Sequence, residues 1–135
     1  MSHFFASKES YQKMINDVFT VSDAEFEALF KATWSPDLEV TIDGKPMNYE
    51  AFHSSVKHFR SSIVSSKLTV TYLLREGNTF AEKHTAEGLM KDGKSSKVEA
   101  YCFGELDAQG RIRKMDEAII VRGDWAHPIK KSEDE

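Results

Sequence analysis

One row of side chains in this sequence could carry out acid–base chemistry. The dipeptide Asp92-Gly93 is typical of a two-residue hairpin turn, which would place His84 directly opposite Tyr101 on the next strand. If residues 107–110 form a four-residue loop, Tyr101 in turn lies opposite Asp116. Cross-strand neighbours are about 5 Å apart, so an imidazole, a phenol and a carboxylate would share one face. Such a group could abstract a proton next to a carbonyl, as an isomerase, cyclase or dehydratase must.

The phase of these hairpins decides which carboxylate belongs to the row. Strand side chains alternate between the two faces, so a single bulge would turn Asp116 away and select Glu117, with Cys102 and Thr85, instead. Two other interpretations stay open: the row is a polar solvent or dimer face, or Glu117 forms a structural salt bridge with Lys83. Cys102 has no histidine partner in this register, which favours a small buried residue over a nucleophile.

Aromatic and boundary side chains predict where a ligand would bind. His53 and Arg60 lie on one flank of a predicted helix, at the edge of its apolar stripe, where a pocket mouth or a wet rim would be. His58 lies on the far, solvated side of that helix. The alternative for the aromatic residues is that they are ordinary core. The predicted ligand-binding residues are Trp34, His53, Phe59, Tyr72 and Phe103.

Several functional classes have no support in the sequence. It contains no H-x-x-x-H, C-x-x-C or H-E-x-x-H pair, no G-x-G-x-x-G and no P-loop, so we expect neither a metal nor a cofactor. The net charge is −4 and Lys and Arg form no block, which argues against nucleic-acid binding. We therefore expect the partner to be a small apolar molecule.

The size and the single cysteine bound the class of protein. A chain of 135 residues, 40% hydrophobic and 30% charged, is long enough for one domain with its own core. Cys102 has no partner for an internal disulfide. The first residues lack the apolar stretch of a signal peptide, and no run approaches the 18 or so apolar residues that span a bilayer. We expect a cytoplasmic protein that does not bind membranes.

Three amphipathic helices precede the candidate strands. The first has apolar residues at helical spacing from Tyr11 to Phe19, and the second opens at Ser22 with Glu25 placed for a capping box. Trp34 continues the stripe of the second helix until Pro36 ends it. Asn48 can cap the third helix. A short strand, residues 38–42, lies between the second and third helices.

The second half of the chain predicts an antiparallel meander of four long strands. Residues 67–75, 79–91, 95–106 and 111–122 are rich in β-branched and aromatic residues and are separated by turn sequences. Helices need an apolar surface to cover, and a strongly curved sheet supplies one. The expected fold class is α+β: three helices packed on a curved, mainly antiparallel sheet, in the order α-α-β-α-β-β-β-β, forming a cone with a central pocket. We expect one domain over residues 1–127 and a charged, loose tail over 128–135.

Three segments resemble the SnoaL-like branch of the nuclear transport factor 2-like superfamily. They are Trp34-Ser35-Pro36-Asp37-Leu38-Glu39-Val40 after two opening helices, the segment from Gly44 to Phe52 leading into the third helix, and Asp107-Ala108-Gln109-Gly110-Arg111-Ile112 before the last strand. The likeness covers residues 8–122 in order and length. Met115-Asp116-Glu117 also resembles the acidic position that many relatives carry late in the last strand.

The resemblance implies a cone with a deep apolar pocket and a homodimer formed through the sheet. Members include polyketide cyclases, ketosteroid isomerases, dehydratases and epoxide hydrolases, and also proteins without catalysis, so fold alone does not fix the reaction. The first hypothesis is a cofactor-independent isomerase, cyclase or dehydratase acting on an apolar carbonyl compound, with His84, Asp116, Tyr101 and Glu117 as candidate catalytic residues. The alternative is a non-catalytic module that binds an apolar ligand or a protein partner.

Overall fold

Three helices and six strands form the part of the chain that the computed structural model describes, residues 3–122. The helices are α1 (Lys8–Thr20), α2 (Asp23–Thr33) and α3 (Tyr49–Ser62). The strands are β1 (Trp34–Ile42), β2 (Lys45–Asn48), β3 (Ile63–Glu76), β4 (Thr79–Met90), β5 (Ser95–Leu106) and β6 (Ile112–Val121). The predicted domain limit at residue 127 and the tail 128–135 lie outside the described residues.

Side-chain caps fix the starts of the helices. The Ser22 hydroxyl accepts a hydrogen bond from the Glu25 backbone N–H, and the Glu25 carboxylate accepts one from the Ser22 backbone N–H. The Asn48 side chain accepts a hydrogen bond from the Ala51 N–H and starts α3. Each cap satisfies a backbone donor that has no partner within the helix. Both predicted caps are therefore confirmed.

The six strands form one sheet in the order β2-β1-β6-β5-β4-β3. The predicted meander from β3 to β6 is confirmed, and β1 joins it by pairing parallel with β6. β1 begins at Trp34 rather than Leu38, because the chain before Pro36 favours extended backbone over helix. The short strand β2, which pairs with β1 across the Asp43-Gly44 turn, is absent from the sequence prediction.

The helices cover one face of the sheet, and the core lies between them. Fully buried side chains from α1 and α2, among them Val18 and Phe30, pack with Val40 of β1 and Ile112 of β6. The predicted α+β class with three helices on a mainly antiparallel, open sheet is confirmed. None of the helices within residues 3–122 is long and apolar enough to cross a membrane.

Candidate active site

A cavity of about 260 Å³ opens between the helices and the inner face of the sheet. Its walls are mostly apolar and include Ile15, Val56, Leu68 and Val98. The indole N–H of Trp34 points to the sulfur of Met115 at 3.3 Å, so the one polar atom of that ring has a partner within the wall. A largely apolar pocket with a few converging polar groups is the usual form of a small-molecule site.

A carboxylate–imidazole–carboxylate group, formed by Glu82, His84 and Glu117, lies in the wall of this cavity. Glu82 and His84 are two residues apart on β4 and therefore point to the same face. The His84 Nδ1 atom lies 2.8 and 3.1 Å from the two carboxylate oxygens of Glu82. On the other side of the ring, Nε2 is 4.0 Å from Oε2 of Glu117 on β6. That gap is too long for a hydrogen bond, which leaves both atoms facing the cavity.

Tyr11 of α1 holds the Glu82 carboxylate from the helical side. Its hydroxyl donates a hydrogen bond of 3.0 Å to Glu82 Oε2, and both side chains are buried. Burial, followed by the charge of Glu82, raises the pKa of the Tyr11 hydroxyl well above its ordinary value. Tyr11 therefore stays a neutral donor at physiological pH. Glu82 is fixed in place, and it fixes His84 in turn.

The Glu117 carboxyl is poised to exchange a proton near neutral pH. Burial raises its pKa to about 7, against the lowering effect of the charge on His84. The side chain is 14% exposed, and no residue in the described range donates a hydrogen bond to its carboxylate. A base with a pKa near the working pH combines a populated ionised form with a strong drive to accept a proton.

The His84 imidazole keeps its proton more firmly than a free histidine. Burial by itself lowers its pKa, but the hydrogen bond and charge of Glu82, with the charge of Glu117, outweigh burial and raise the pKa overall. With Nδ1–H donated to Glu82, the protonated ring presents Nε2–H toward Glu117 and the cavity. The site therefore combines a base, Glu117, with a cationic donor, His84.

The same three side chains could hold a divalent cation. Glu82, His84 and Glu117 each offer one ligand atom, and these atoms lie within 4.8 Å of one another. The hydrogen bond to Glu82 occupies Nδ1 of His84, so only Nε2 and the Glu117 carboxylate face the open space. A carboxylate behind a histidine is also the usual second layer of a metal site. This cluster was missed in the sequence because its ligands come from two strands without motif spacing.

Comparison with known proteins identifies the fold. No family model matches the chain. An uncharacterized protein of Schizosaccharomyces pombe is 26% identical over 113 residues, which cover 84% of this chain and 85% of that protein. An NTF2-like protein of unknown function from Exiguobacterium superposes with a TM-score of 0.67 at 16% identity, covering 83% of this chain and 94% of its own. The fold is nuclear transport factor 2-like. The predicted resemblance is thereby confirmed at the level of fold.

Two further solved structures with the same fold have names that suggest chemistry. AclR, a proposed hydroxylase from Streptomyces galilaeus, gives a TM-score of 0.66 at 11% identity and covers 87% of this chain and 83% of its own. A proposed SnoaL-like polyketide cyclase from Jannaschia gives 0.64 at 12% identity, covering 79% and 83%. At these identities the likeness establishes the NTF2-like cone and leaves the reaction to the site itself.

The predicted row of His84, Tyr101 and Asp116 is wrong in its register. The β4–β5 loop places Ala100 opposite His84, and Lys83 opposite Tyr101. Tyr101 lies on the outer face of the sheet with Asp116, which is exposed. Because this loop is one residue longer than expected, the side chains of β5 and β6 lie on the faces opposite to those predicted. His84 therefore faces Glu117 and not Asp116.

The alternatives to that row are also resolved by the register. Glu117 lies opposite Cys102 on the inner face, as the shifted phase required, but Thr85 lies on the outer face opposite Glu99. The salt bridge between Glu117 and Lys83 does not form, because the ammonium group of Lys83 lies over the outer ring of Tyr101 at 5.2 Å. Burial raises the pKa of the Cys102 thiol, which agrees with an unreactive buried residue.

Two of the five predicted ligand-binding residues, Trp34 and Phe59, line the cavity. His53 instead bonds Glu27 at 2.8 Å on the helical surface. Tyr72 and Phe103 are 63% and 65% exposed on the outer face. A bulge between Val70 and Tyr72 changes the phase of β3, which explains the outward ring of Tyr72.

The cavity contains residues that the sequence did not predict as part of a site, among them His58, Glu82 and Tyr11. His58, predicted on the solvated side of its helix, is exposed but lines the cavity mouth. Glu82 has a clear signal, since it is two residues from His84 and shares its face in any register. Tyr11 had none, because its position in the apolar stripe of α1 predicts ordinary core.

Proposed function

We propose that this protein is a cofactor-independent acid–base enzyme that acts on a small apolar carbonyl compound, as an isomerase, cyclase or dehydratase. One observation carries the proposal: the Glu117 carboxyl, with its pKa raised to about 7, faces the His84 imidazole across 4.0 Å in the wall of a mostly apolar cavity. A substrate carbonyl fits the remaining volume better than a highly polar group, since the other walls offer few partners.

The reaction begins with proton removal beside the carbonyl. Glu117 accepts the proton from the α-carbon, and the electrons of the broken C–H bond move into the carbonyl oxygen. The Nε2–H of protonated His84 donates to that oxygen and stabilises its developing charge. Glu82 and Tyr11 are positioning residues: Glu82 holds the imidazole through Nδ1, and the Tyr11 hydroxyl holds Glu82. Return of the proton from Glu117 to another carbon gives isomerisation, whereas its transfer to a departing β-hydroxyl releases water and gives dehydration.

Exchange of α-protons for deuterium tests this first step without knowledge of the natural substrate. We expect the protein to accelerate exchange of 4-phenyl-2-butanone in D₂O, followed by proton NMR, with a rate that rises as pH increases through about 7. Glu117→Gln should lower the catalysed rate roughly 10²- to 10⁴-fold, the usual range for loss of a general base. Asp116→Asn changes the neighbouring carboxylate on the outer face and should leave the rate unchanged.

Three results would decide against this assignment. Equal rates in wild type and Glu117→Gln would remove Glu117 as the base. Loss of exchange with EDTA and recovery with Zn²⁺ would replace the metal-free site by a cation bound to Glu82, His84 and Glu117. Binding of the ketone without any exchange would favour the second candidate, a non-catalytic module for an apolar ligand, which the apolar walls of the same cavity also support.

The proposal includes a homodimer formed through the outer face of the sheet. Tyr72, Leu74 and Phe103 are exposed there, and they form an apolar patch with aromatic anchors. Charges of both signs, such as Lys83 and Asp116, lie on the same face. A two-fold interface brings a patch against itself, so a mixed-charge rim can pair with its own copy. We therefore propose a second copy of this chain as the occupant.

A further inference from the structure

A row of two serines and a glycine crosses the inner face of the sheet and forms part of the cavity wall. Ser66 of β3 lies opposite Gly88 of β4, and Gly88 lies opposite Ser96 of β5. All three residues line the cavity. We call this row the serine notch, because the glycine leaves an open space between two hydroxyl-bearing side chains.

The glycine at position 88 is not required by the backbone. Its φ is not in the left-handed region, in contrast with the turn residue Gly93, so an ordinary strand residue could adopt the conformation. A Cβ atom at this position would lie 3.9 Å from Ser96 Oγ, 4.0 Å from Ser66 Cβ and 3.4 Å from the Ser65 carbonyl oxygen. A larger side chain would therefore fill the space between the serines. Glycine keeps this part of the cavity open.

The hydroxyl of Ser96 is buried and has no hydrogen-bond partner among the described residues 3–122. The residue is 8% exposed, and nothing in the described range 3–122 forms a hydrogen bond with its side chain. Burying a hydroxyl without a hydrogen bond carries a free-energy cost, so buried polar groups are normally paired. A polar atom of a bound ligand in the notch would supply the missing partner.

The notch and the catalytic group lie at opposite ends of the same strand segment. Gly88 is four residues after His84 on the inner face of β4, which corresponds to about 13 Å of strand. Between them lies an apolar band formed by Ala86 with its neighbours Leu68 and Val98. Along β4 the cavity wall is thus polar at Glu82 and His84, apolar at Ala86 and polar again beside Gly88.

We propose that the serine notch is a second polar subsite, which binds a hydroxyl or carbonyl group at the far end of an elongated, otherwise apolar ligand. This inference rests on the proposed function for the orientation of the ligand, with the reacting carbonyl at Glu117 and the distal polar group at Ser96. The substrate class is then a small bifunctional compound with two polar ends, rather than a simple hydrocarbon-like ketone. Ser96 acts as a specificity-determining residue and takes no part in proton transfer.

A matched pair of ketones tests the notch. The probes are 4-(4-hydroxyphenyl)-2-butanone and 4-phenyl-2-butanone, which differ only in the distal hydroxyl. We expect wild type to bind the hydroxylated ketone roughly 3- to 10-fold more tightly in calorimetric titrations, the effect of one neutral hydrogen bond. Ser96→Ala should remove this preference and leave affinity for 4-phenyl-2-butanone unchanged. Ser95→Ala, the adjacent serine on the outer face, is the control and should keep the preference.

The outcomes separate this inference from the proposed function. The serine notch is overturned if wild type binds both ketones equally, or if its preference for the hydroxylated ketone survives Ser96→Ala. This holds even if the protein catalyses deuterium exchange. A preference that depends on Ser96, without any exchange, supports the notch and removes the acid–base reaction. If neither ketone binds, the notch has no ligand of this class and both proposals fall. Filling the space with Gly88→Ala should reduce the preference as Ser96→Ala does.

Discussion

Glu117 and His84 share one buried site, and each binds its proton more tightly than an ordinary side chain of its type. Burial raises the pKa of Glu117 to about 7, while Glu82 and Glu117 overcome the effect of burial and raise the pKa of His84. A folded state that binds protons more tightly than the unfolded chain becomes less stable as pH rises. The Glu117–His84 site therefore lowers the stability of the fold at neutral and alkaline pH.

The pH dependence of unfolding tests this linkage. The contribution of Glu117 is full below its ordinary pKa near 4.5 and is lost as pH rises through about 7. That of His84 is full below 6.5 and is lost as pH rises through its raised pKa. We expect the free energy of unfolding of wild type in urea to fall between pH 4.5 and 8. The free energy of unfolding of Glu117→Gln, taken relative to wild type, should rise by about 1 to 3 kcal/mol over that range.

The matched control for this titration is Asp116→Asn, on the exposed outer face. Its difference from wild type should stay constant over the same pH range, because the substitution lies on the exposed outer face and leaves the Glu117–His84 site unchanged. A constant difference for Glu117→Gln as well would contradict the raised pKa. Urea titrations at pH 4.5, 6, 7 and 8 suffice for both variants.

Among the secondary-structure elements, α3 is tied to the other two helices through one side chain. Arg60 donates hydrogen bonds of 2.6 and 2.7 Å to the carbonyl oxygens of Val18 and Val21, where α1 ends. Its guanidinium also lies over the ring of Phe26, 4.6 Å from the centroid, and bonds Asp23. The boundary position read from the sequence is therefore a helix cap and not a ligand contact. This contact positions the helices that roof the cavity.

Arg60→Met should expose how much this cap contributes. The side chain is 9% exposed, and its loss leaves two carbonyl groups without a charged donor. We expect the free energy of unfolding to fall by about 2 to 4 kcal/mol, from the range for hydrogen bonds to charged groups. Lys57→Met, an exposed lysine on the same helix, should change it by less than about 0.5 kcal/mol. Equal effects of the two variants would show that Arg60 is an ordinary surface charge.

The β4–β5 loop shows how an element decides the composition of the site. Met90 N–H donates to the Lys94 carbonyl at 2.8 Å, and Gly93 N–H donates to the Met90 carbonyl at 2.9 Å. The loop therefore contains residues 91–93, with Gly93 at φ 91°, rather than the two residues expected from Asp92-Gly93. A three-residue loop that ends in a left-handed glycine is a common hairpin form. The residue types identified the turn, but its hydrogen bonds determine its length and therefore which side chains of β5 face the cavity.

At the scale of the whole molecule, the two faces of the sheet differ. The inner face buries its apolar side chains in the core, whereas the outer face exposes several large ones. Leu74, Ala81 and Phe103 form one cross-strand row there, beside the rings of Tyr72 and Tyr101. Large exposed apolar patches mark interaction surfaces in soluble domains. The proposed dimer would cover these side chains and leave the cavity on the other face open.

Phe103→Asp should separate the copies. A charge at the centre of an apolar interface would be desolvated on association, so we expect a dimer in the wild type and a monomer in the variant by sedimentation equilibrium. Val64→Asp is the control, since Val64 is 61% exposed but lies away from the Phe103 row. A wild-type monomer, or a dimer that survives Phe103→Asp, would remove this face as the interface. Deuterium exchange should persist in both variants.

The sequence by itself determined the elements and their order, because these depend on local chemistry. Apolar spacing placed α1, and Ser22 and Asn48 placed the caps. Turn sequences divided the meander into four strands, the first of which begins four residues earlier than expected, at Ile63. These signals act within a few residues of the chain and are legible without tertiary contacts. They also sufficed for the α+β fold class.

Only the tertiary structure decided which side chains meet. A single residue in the β4–β5 loop and a bulge in β3 exchanged inner and outer faces, so Tyr101, Asp116, Tyr72 and Phe103 left the predicted site. The same phase brought Glu117 to His84, and helix packing added Tyr11 from the far end of the chain. Side chains along a strand alternate between the two faces of the sheet. A register error of one residue therefore moves every predicted site residue of that strand to the opposite face. Local sequence cannot specify it, because register is set by hydrogen bonds and packing across the whole sheet.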